Sequence, residues 1–147
     1  MIIREEKINI LNVSDGYMLV SDFSADMKYE TGVSKVLNEA FNIEDNLNDS
    51  LIIIDGDLED PLDLGQIYEI GNLYMLIVKP NYYDAPDHSY LMESLEELRK
   101  QCEFYHIKKL AMPRICTEDN GFKWDDVRQI IEFVFNDSDI EILVCYK

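Results

Sequence analysis

Five short apolar runs alternate with segments of helical periodicity, and this alternation restricts the folds open to the chain. The runs cover residues 17–20, 51–54, 73–78, the last three residues of the segment 108–112, and 140–146 apart from Glu141. Runs of this kind are typical of strands covered on both faces of a sheet. Apolar side chains recur at helical intervals in three other segments: residues 33–41, the segment that follows Ser89, and residues 124–135. Strands that alternate with helices predict a three-layer α/β/α sandwich.

The sheet of this sandwich is predicted to be mixed. Residues 66–70 and 73–78 flank the turn formers Gly71 and Asn72, which predicts a hairpin. A first strand is predicted at residues 7–11, and a polar loop from Ser21 to Thr31. Ser89 is the predicted N-cap of the second helix, and residues 42–49 are predicted to be a polar connection. Residues 140–146 are predicted to form an interior strand because they are almost uniformly apolar.

Length and composition indicate one domain that spans residues 1–147. The first residues have no signal-peptide pattern, and no apolar run is long enough to cross a bilayer, so we expect a cytoplasmic protein without a membrane partner. The three cysteines form an odd set without metal-ligand spacing, which predicts reduced thiols. No cofactor and no metal are expected.

The formal net charge of −17, from 13 basic and 30 acidic residues, restricts the partners. Phosphate recognition relies on lysine and arginine, so direct nucleic-acid binding is not expected. A basic protein remains a candidate partner.

Residues 108–124 read as a strand, a loop and the start of a helix. Pro113 has no N–H to donate and should end the strand, and Thr117 to Gly121 are polar turn formers. Trp124 then opens a helix with acidic residues in its first turn. At the carboxyl edge of an α/β sheet, such a segment is where anionic ligands bind.

The same residues carry a resemblance to a family. Met112, Pro113, Arg114 and Ile115, followed by a loop and by Trp124, resemble the last third of a macro domain. The resemblance is to the branch typified by the terminal ADP-ribose protein glycohydrolases. It implies that ADP-ribose or a related nucleotide binds between two loops, at residues 24–32 and 115–121. The ligand-binding residues that it implies are Ser24, Asp26, Thr31, Gly32, Val33, Arg114, Ile115, Cys116, Thr117 and Gly121.

The resemblance also implies a catalytic lysine. Lys79 matches the lysine that, in that branch, attacks the anomeric carbon of the distal ribose and releases the acidic side chain that carried ADP-ribose. A lysine needs a lowered pKa to attack at neutral pH, and burial next to Val78 and Pro80 is one route to it. The alternative is a strand-end lysine that extends into solvent.

Two features of this chain differ from the family pattern. The partner acid of the family corresponds to Asn120, whose amide cannot transfer a proton, so the neighbouring Asp119 is the candidate acid. Cys116, Thr117 and Glu118 replace loop glycines, and Glu118 should place an anion beside the expected pyrophosphate. Gly32 offers helix N–H groups to an anion, or is simply a turn glycine.

Other patterns have simpler explanations. Residues 55–66 lack the glycine and the final glutamate of a calcium loop and are predicted to be a solvated acidic loop. Asp84, Asp87 and His88 lack a second histidine at a ligand interval. Arg114 could bind phosphate or form a structural ion pair, and Tyr82 could stack on a base or cover the following helix.

Two functions therefore remain open. The first is an ADP-ribose-binding macro domain that removes ADP-ribose from glutamate or aspartate and meets an ADP-ribosylated protein. The second is a catalytically degenerate macro fold whose acidic surface binds or inhibits a basic protein. Nucleotide binding without turnover is a weaker third interpretation.

Overall fold

The computed structural model describes residues 1–29, 31–47, 62–118 and 120–147. Within them, six strands form one sheet: β1 (Ile2–Lys7), β2 (Met18–Ser24), β3 (Ile67–Ile70), β4 (Leu73–Lys79), β5 (Lys109–Pro113) and β6 (Glu141–Tyr146). Their order across the sheet is β1-β6-β5-β2-β4-β3. β3 is antiparallel to β4, and the other pairs are parallel. The predicted mixed sheet and its hairpin are confirmed.

Helices cover both faces of the sheet. α2 (His88–Tyr105) and α3 (Trp124–Val134) contribute buried side chains to one apolar cluster, and α1 (Gly32–Phe41) contributes Leu37 to a second. Alternate residues of β4 divide between the clusters, because successive side chains of a strand point to opposite faces. Leu76 and Val78 join the first, and Met75 and Ile77 the second. The predicted three-layer α/β/α sandwich is confirmed.

The last strand, which was predicted to be interior, is interior, and β4 is buried. Residues 73–78 of β4 are each no more than 2% exposed. β6 lies between β1 and β5, as its uniformly apolar sequence predicted. None of the helices in the described ranges is long and apolar enough to span a membrane.

The first strand lies earlier than predicted. β1 is Ile2–Lys7, and Ile10–Asn12 forms a 3₁₀ turn that Asn9 caps through its side chain. The prediction failed because β1 is an edge strand whose main chain pairs with β6, so it tolerates charged side chains such as Arg4 and Glu6.

Two polar segments also adopt regular structure. β2 continues through Ser24 into the predicted loop, since it pairs with β4 as far as Lys79. Residues 43–47, predicted to be a polar connection, are helical and bury Ile43 and Leu47. The predicted strand at 51–54 and residues 55–61 of the acidic loop lie outside the described residues.

The second helix begins one residue before the predicted cap. Asp87 is the N-cap, and its Oδ1 accepts hydrogen bonds from the N–H groups of Ser89 (2.8 Å) and Tyr90 (3.4 Å). The Ser89 hydroxyl also donates a hydrogen bond to Asp87 and lowers the pKa of its carboxyl, and the two backbone N–H groups lower it further. A carboxylate accepts several donors at once, so Asp87 takes the position predicted for Ser89.

Candidate functional site

A cleft opens where β2 and β4 end. These parallel strands place their carboxyl ends side by side, with Ser24 opposite Lys79. The loop after β5 and the start of α1 form its other walls. The cleft is lined by Asp22, Phe23, Ser24, Lys28, Thr31, Val33, Ser34, Lys79, Tyr82, Pro86, Cys116 and Glu118. Its volume is about 40 Å³, room for only a few water molecules.

Lys79 is the last residue of β4 and is partly buried. Its carbonyl oxygen accepts a hydrogen bond from the N–H of Ala25 (2.9 Å), which fixes the end of β4 to the loop after β2. Of the residues predicted from the family resemblance, Ser24, Thr31, Val33, Lys79 and Cys116 line the cleft. The strand ends therefore bring the predicted nucleophile to the predicted loops.

Asp26 connects the loops instead of lining the cleft. Its Oδ1 accepts hydrogen bonds from the Ser24 hydroxyl (2.6 Å) and the Lys28 N–H (3.1 Å), and its Oδ2 accepts one from the Tyr82 N–H (2.9 Å). Both carboxylate oxygens are thus engaged within the protein. Asp26 holds the loop after β2 against the loop after β4.

Glu118 closes the cleft at the start of α1. The N–H of Val33 donates a hydrogen bond to Glu118 Oε1 (3.4 Å). A Cβ atom placed on Gly32 would lie 2.1 Å from Glu118 Oε2, so the carboxylate packs directly on this glycine. Gly32 also has φ +60°, a conformation that favours glycine. The chain's own carboxylate therefore occupies the turn that the sequence predicted to bind a ligand anion.

The loop between β5 and α3 is folded tightly on itself. The Thr117 hydroxyl donates to the Arg114 carbonyl (2.6 Å), and the Phe122 N–H donates to the Cys116 carbonyl (2.7 Å). A Cβ on Gly121 would lie 2.3 Å from the Cys116 carbonyl oxygen, so the backbones touch there. Cys116 and Asn120 adopt φ of +61° and +57°.

The remaining predicted site residues divide by location. Thr117, Asn120 and Gly121 shape this loop and are not among the residues that line the cleft. Ile115 is fully buried in the apolar cluster beneath α2 and α3. Asp119, the predicted acid, lies outside the described residues.

Arg114 forms the ion pair that the sequence left open as an alternative. Its guanidinium lies 3.0 Å from Glu5 Oε1 on β1 and 4.6 Å from the centre of the Tyr146 ring. Trp124 Nε1 also donates to Glu5 (3.1 Å), and Arg128 pairs with the same carboxylate. Partial burial alone would raise the pKa of Glu5, but these three donors hold it below its ordinary value. Arg114 thus anchors the loop to the edge of the sheet.

Asp22 is a functional candidate that the sequence did not identify. It lies in β2, is partly buried, and lines the cleft with Lys79 and Cys116. Burial raises the pKa of the Asp22 carboxyl, while nearby backbone amides and the Lys79 ammonium oppose the shift. Burial, with the Asp22 charge, also raises the pKa of the Cys116 thiol. The sequence signal was an acid two residues after the apolar run 17–20.

We expect Asp22→Asn to stabilise the protein in a pH-dependent way. The Asp22 carboxyl binds its proton more tightly in the folded than in the unfolded chain, because its pKa rises from 3.8 on folding. The charged form of this buried carboxyl therefore lowers the free energy of unfolding. This loss is absent in acid, appears as pH rises above the unfolded pKa, and is complete above the folded pKa. Asp22→Asn should therefore raise the free energy of unfolding more at pH 8 than at pH 3.

Urea unfolding at the two pH values measures this difference. Asp15→Asn, which removes the same charge from an exposed turn, should give equal small effects at both. A gain from Asp22→Asn that does not vary with pH would contradict a raised pKa.

The remaining patterns that the sequence analysis considered make contacts within the protein. Asp84 Oδ2 accepts hydrogen bonds from the backbone and side chain of Asn81, at 2.9 and 3.1 Å. Asp87 caps α2, and among the described residues no group of three His, Cys, Asp or Glu side chains could hold a metal ion. Tyr82 contributes to the cleft and contacts Tyr83 edge to face, with ring centres 5.4 Å apart.

Solved structures of similar fold include macrodomains. The macrodomain of Thermus aquaticus DarG matches with a TM-score of 0.78 and 19% identity over 99% of both chains. The macrodomain of Mycobacterium tuberculosis DarG matches with a TM-score of 0.81 and 14% identity over 99% of this chain and 98% of that one. Thermosipho africanus DarTG, solved in complex with ADP-ribose, matches with a TM-score of 0.71 and 13% identity over 89% of this chain and 38% of its own. The chain therefore has the macrodomain fold.

Sequence similarity points to a particular branch. ADP-ribose glycohydrolase OARD1 of Bos taurus is 36% identical over 72 residues, which cover 49% of this chain and 47% of the relative. The same protein of Homo sapiens is 35% identical over 72 residues. The chain thus spans about half the length of the curated relatives that it matches. The predicted resemblance to the terminal ADP-ribose glycohydrolase branch is confirmed, and no family model matches the chain.

Proposed function

We propose that this chain is a macrodomain that binds ADP-ribose and removes it from glutamate or aspartate side chains, with Lys79 as the nucleophile. The observation that carries the proposal is the position of Lys79, at the carboxyl end of β4 in the cleft between the two loops. The macrodomain fold, a relative solved with ADP-ribose and the similarity to an ADP-ribose glycohydrolase support the choice of ligand.

Binding of the pyrophosphate would use the start of α1. The N–H groups at the N-terminus of a helix attract anions through hydrogen bonding and the helix dipole. Val33 presents its N–H to a carboxylate there already, so the geometry suits an anion. Lys28 brings a positive charge to the same cleft, in a chain whose formal net charge is −17.

The reaction requires a neutral amine. Lys79 Nζ would attack the anomeric carbon of the distal ribose, and the bond from that carbon to the acyl oxygen would break, its electron pair leaving with the carboxylate. The oxygen of a water molecule would then bond to the same carbon and its proton would pass to solvent, while the carbon–nitrogen bond would break and its electron pair would return to Nζ. Asp22 lines the cleft beside Lys79 and is the described carboxyl best placed to take up the lysine proton.

Calorimetry with ADP-ribose at pH 7 tests binding. We expect one site with a dissociation constant on the order of 10 µM, about 7 kcal/mol. Adenosine, which lacks the pyrophosphate, should bind far more weakly. Absence of heat at millimolar ADP-ribose would contradict the proposal.

A second candidate function has its own support. The charge of −17 and the contact of Glu118 with α1 suit a macro fold that has lost its ligand and binds a basic protein. Such a complex should weaken steeply as salt is raised from 50 to 500 mM, because counterions screen exposed charges. If salt does not weaken the retention of the protein on a basic partner, this candidate is excluded.

Binding of ADP-ribose without its release from protein would favour the third interpretation, nucleotide binding alone.

A further inference from the structure

The N-terminus of α1 is capped by a residue distant in sequence. Thr31 is the N-cap but makes no hydrogen bond with its side chain to cap the helix. The first turn of α1, residues 32–35, lies within the described residues and contains no acidic side chain. Glu118, 85 residues further along the chain, instead accepts a hydrogen bond from the Val33 N–H. Its negative charge lies at the positive end of the helix dipole, where an anion is stabilised.

The position of Glu118 follows from its loop. The backbone turns through Cys116 and Asn120, both in the left-handed region, and Gly121 packs against the carbonyl oxygens of Cys116 and Glu118. Thr117 closes the same turn through its bond to Arg114, which is paired with Glu5 on β1. A loop anchored in this way holds the Glu118 carboxylate against Gly32.

The contact fills space as well as neutralising the helix end. The cleft encloses about 40 Å³, whereas sites for drug-sized ligands enclose about 300 to 1,000 Å³. A diphosphate cannot enter beside a carboxylate that lies on Gly32, because the two anions would share one helix terminus.

We propose that the Glu118 carboxylate competes with anionic ligands for the first turn of α1 and so limits their affinity. This inference rests on the proposed function, since it concerns the same cleft. An anionic ligand gains the turn only when the Glu118 side chain rotates away, and part of its binding free energy is spent on that displacement. The chain should therefore bind ADP-ribose less tightly than the same cleft would without Glu118.

Calorimetric titration of ADP-ribose into the wild type, Glu118→Gln and Glu118→Ala tests the competition. Glutamine removes the charge and keeps the volume, so affinity should rise about threefold to tenfold. Alanine also clears the space over Gly32, and affinity should rise at least tenfold. Glu97→Gln, which makes the same charge change next to Lys100 on α2, should leave affinity within about twofold.

A second measurement needs no ligand. Amide hydrogen exchange at Val33 should accelerate in Glu118→Ala, because that N–H loses its acceptor. Equal ADP-ribose affinities of the wild type and both Glu118 variants would overturn the inference and leave the proposed function in place. Unchanged exchange at Val33 would overturn it as well. If no variant binds ADP-ribose although exchange at Val33 is faster in Glu118→Ala, the proposed ligand is wrong and Glu118 does not compete with ADP-ribose for α1.

Discussion

Replacement of Lys79 with alanine should abolish the release of ADP-ribose from a carboxyl-linked ADP-ribosylated protein, with a fall in rate of about 10³-fold or more. The variant keeps the strand, the loops and the start of α1, because the side chain is only partly buried at the strand end. ADP-ribose affinity should therefore change by no more than about fivefold. A large loss of rate with a small loss of affinity identifies a group that acts on the reacting carbon.

Single-turnover assays with the wild type, Lys79→Ala and Lys100→Ala measure the effect. Lys100 is an exposed lysine that pairs with Glu97 on α2 and is not among the residues that line the cleft, so its replacement should leave the rate unchanged. Hydrolysis by Lys79→Ala at the wild-type rate would remove Lys79 from the mechanism. A wild type that binds ADP-ribose and releases none from protein would refute the hydrolase.

Replacement of Leu95 with alanine should cost about 2 to 5 kcal/mol of unfolding free energy, the cost of a buried leucine truncated in a packed core. Leu95 is 0% exposed and lies where α2 packs on the sheet. Because α2 packs on β4, the strand that ends at Lys79, the loss reports on the packing of this layer. The melting temperature should fall by roughly 5 to 15 °C.

Leu11→Ala makes the same chemical change at a side chain that is 42% exposed, and should cost less than about 1 kcal/mol. Urea unfolding of the two variants and the wild type gives both values. Equal costs for Leu95→Ala and Leu11→Ala would mean that α2 does not pack as described.

Elements whose apolar pattern reports burial were predictable from the sequence. β4, β6 and α3 fall at or within one residue of the predicted ranges, because each is specified by side chains that enter the core. β1 was misplaced because an edge strand is held by its main chain and needs no apolar pattern. The buried serines of β2, Ser21 and Ser24, misled the prediction in the same way.

The meeting of the loops at the candidate cleft was predictable, but their contacts were not. The strand ends and turn formers predicted where the loops meet, and the resemblance pointed to Lys79. The Glu118 carboxylate was expected near a phosphate, yet its bond to Val33 joins residues 85 apart and needs the fold to be seen. Asp22 was missed because its importance comes from burial next to Lys79 and Cys116, which neighbours in sequence do not encode.

Titration of the ¹⁵N-labelled protein with ADP-ribose, followed residue by residue, tests the central claim most directly. The claim is that the cleft at the ends of β2 and β4 is the ADP-ribose site. It predicts saturable amide shifts concentrated at Ser24, Val33, Lys79 and Cys116, with no comparable change at exposed Phe104 on α2. Shifts centred on any other surface, or none at millimolar ADP-ribose, would contradict it.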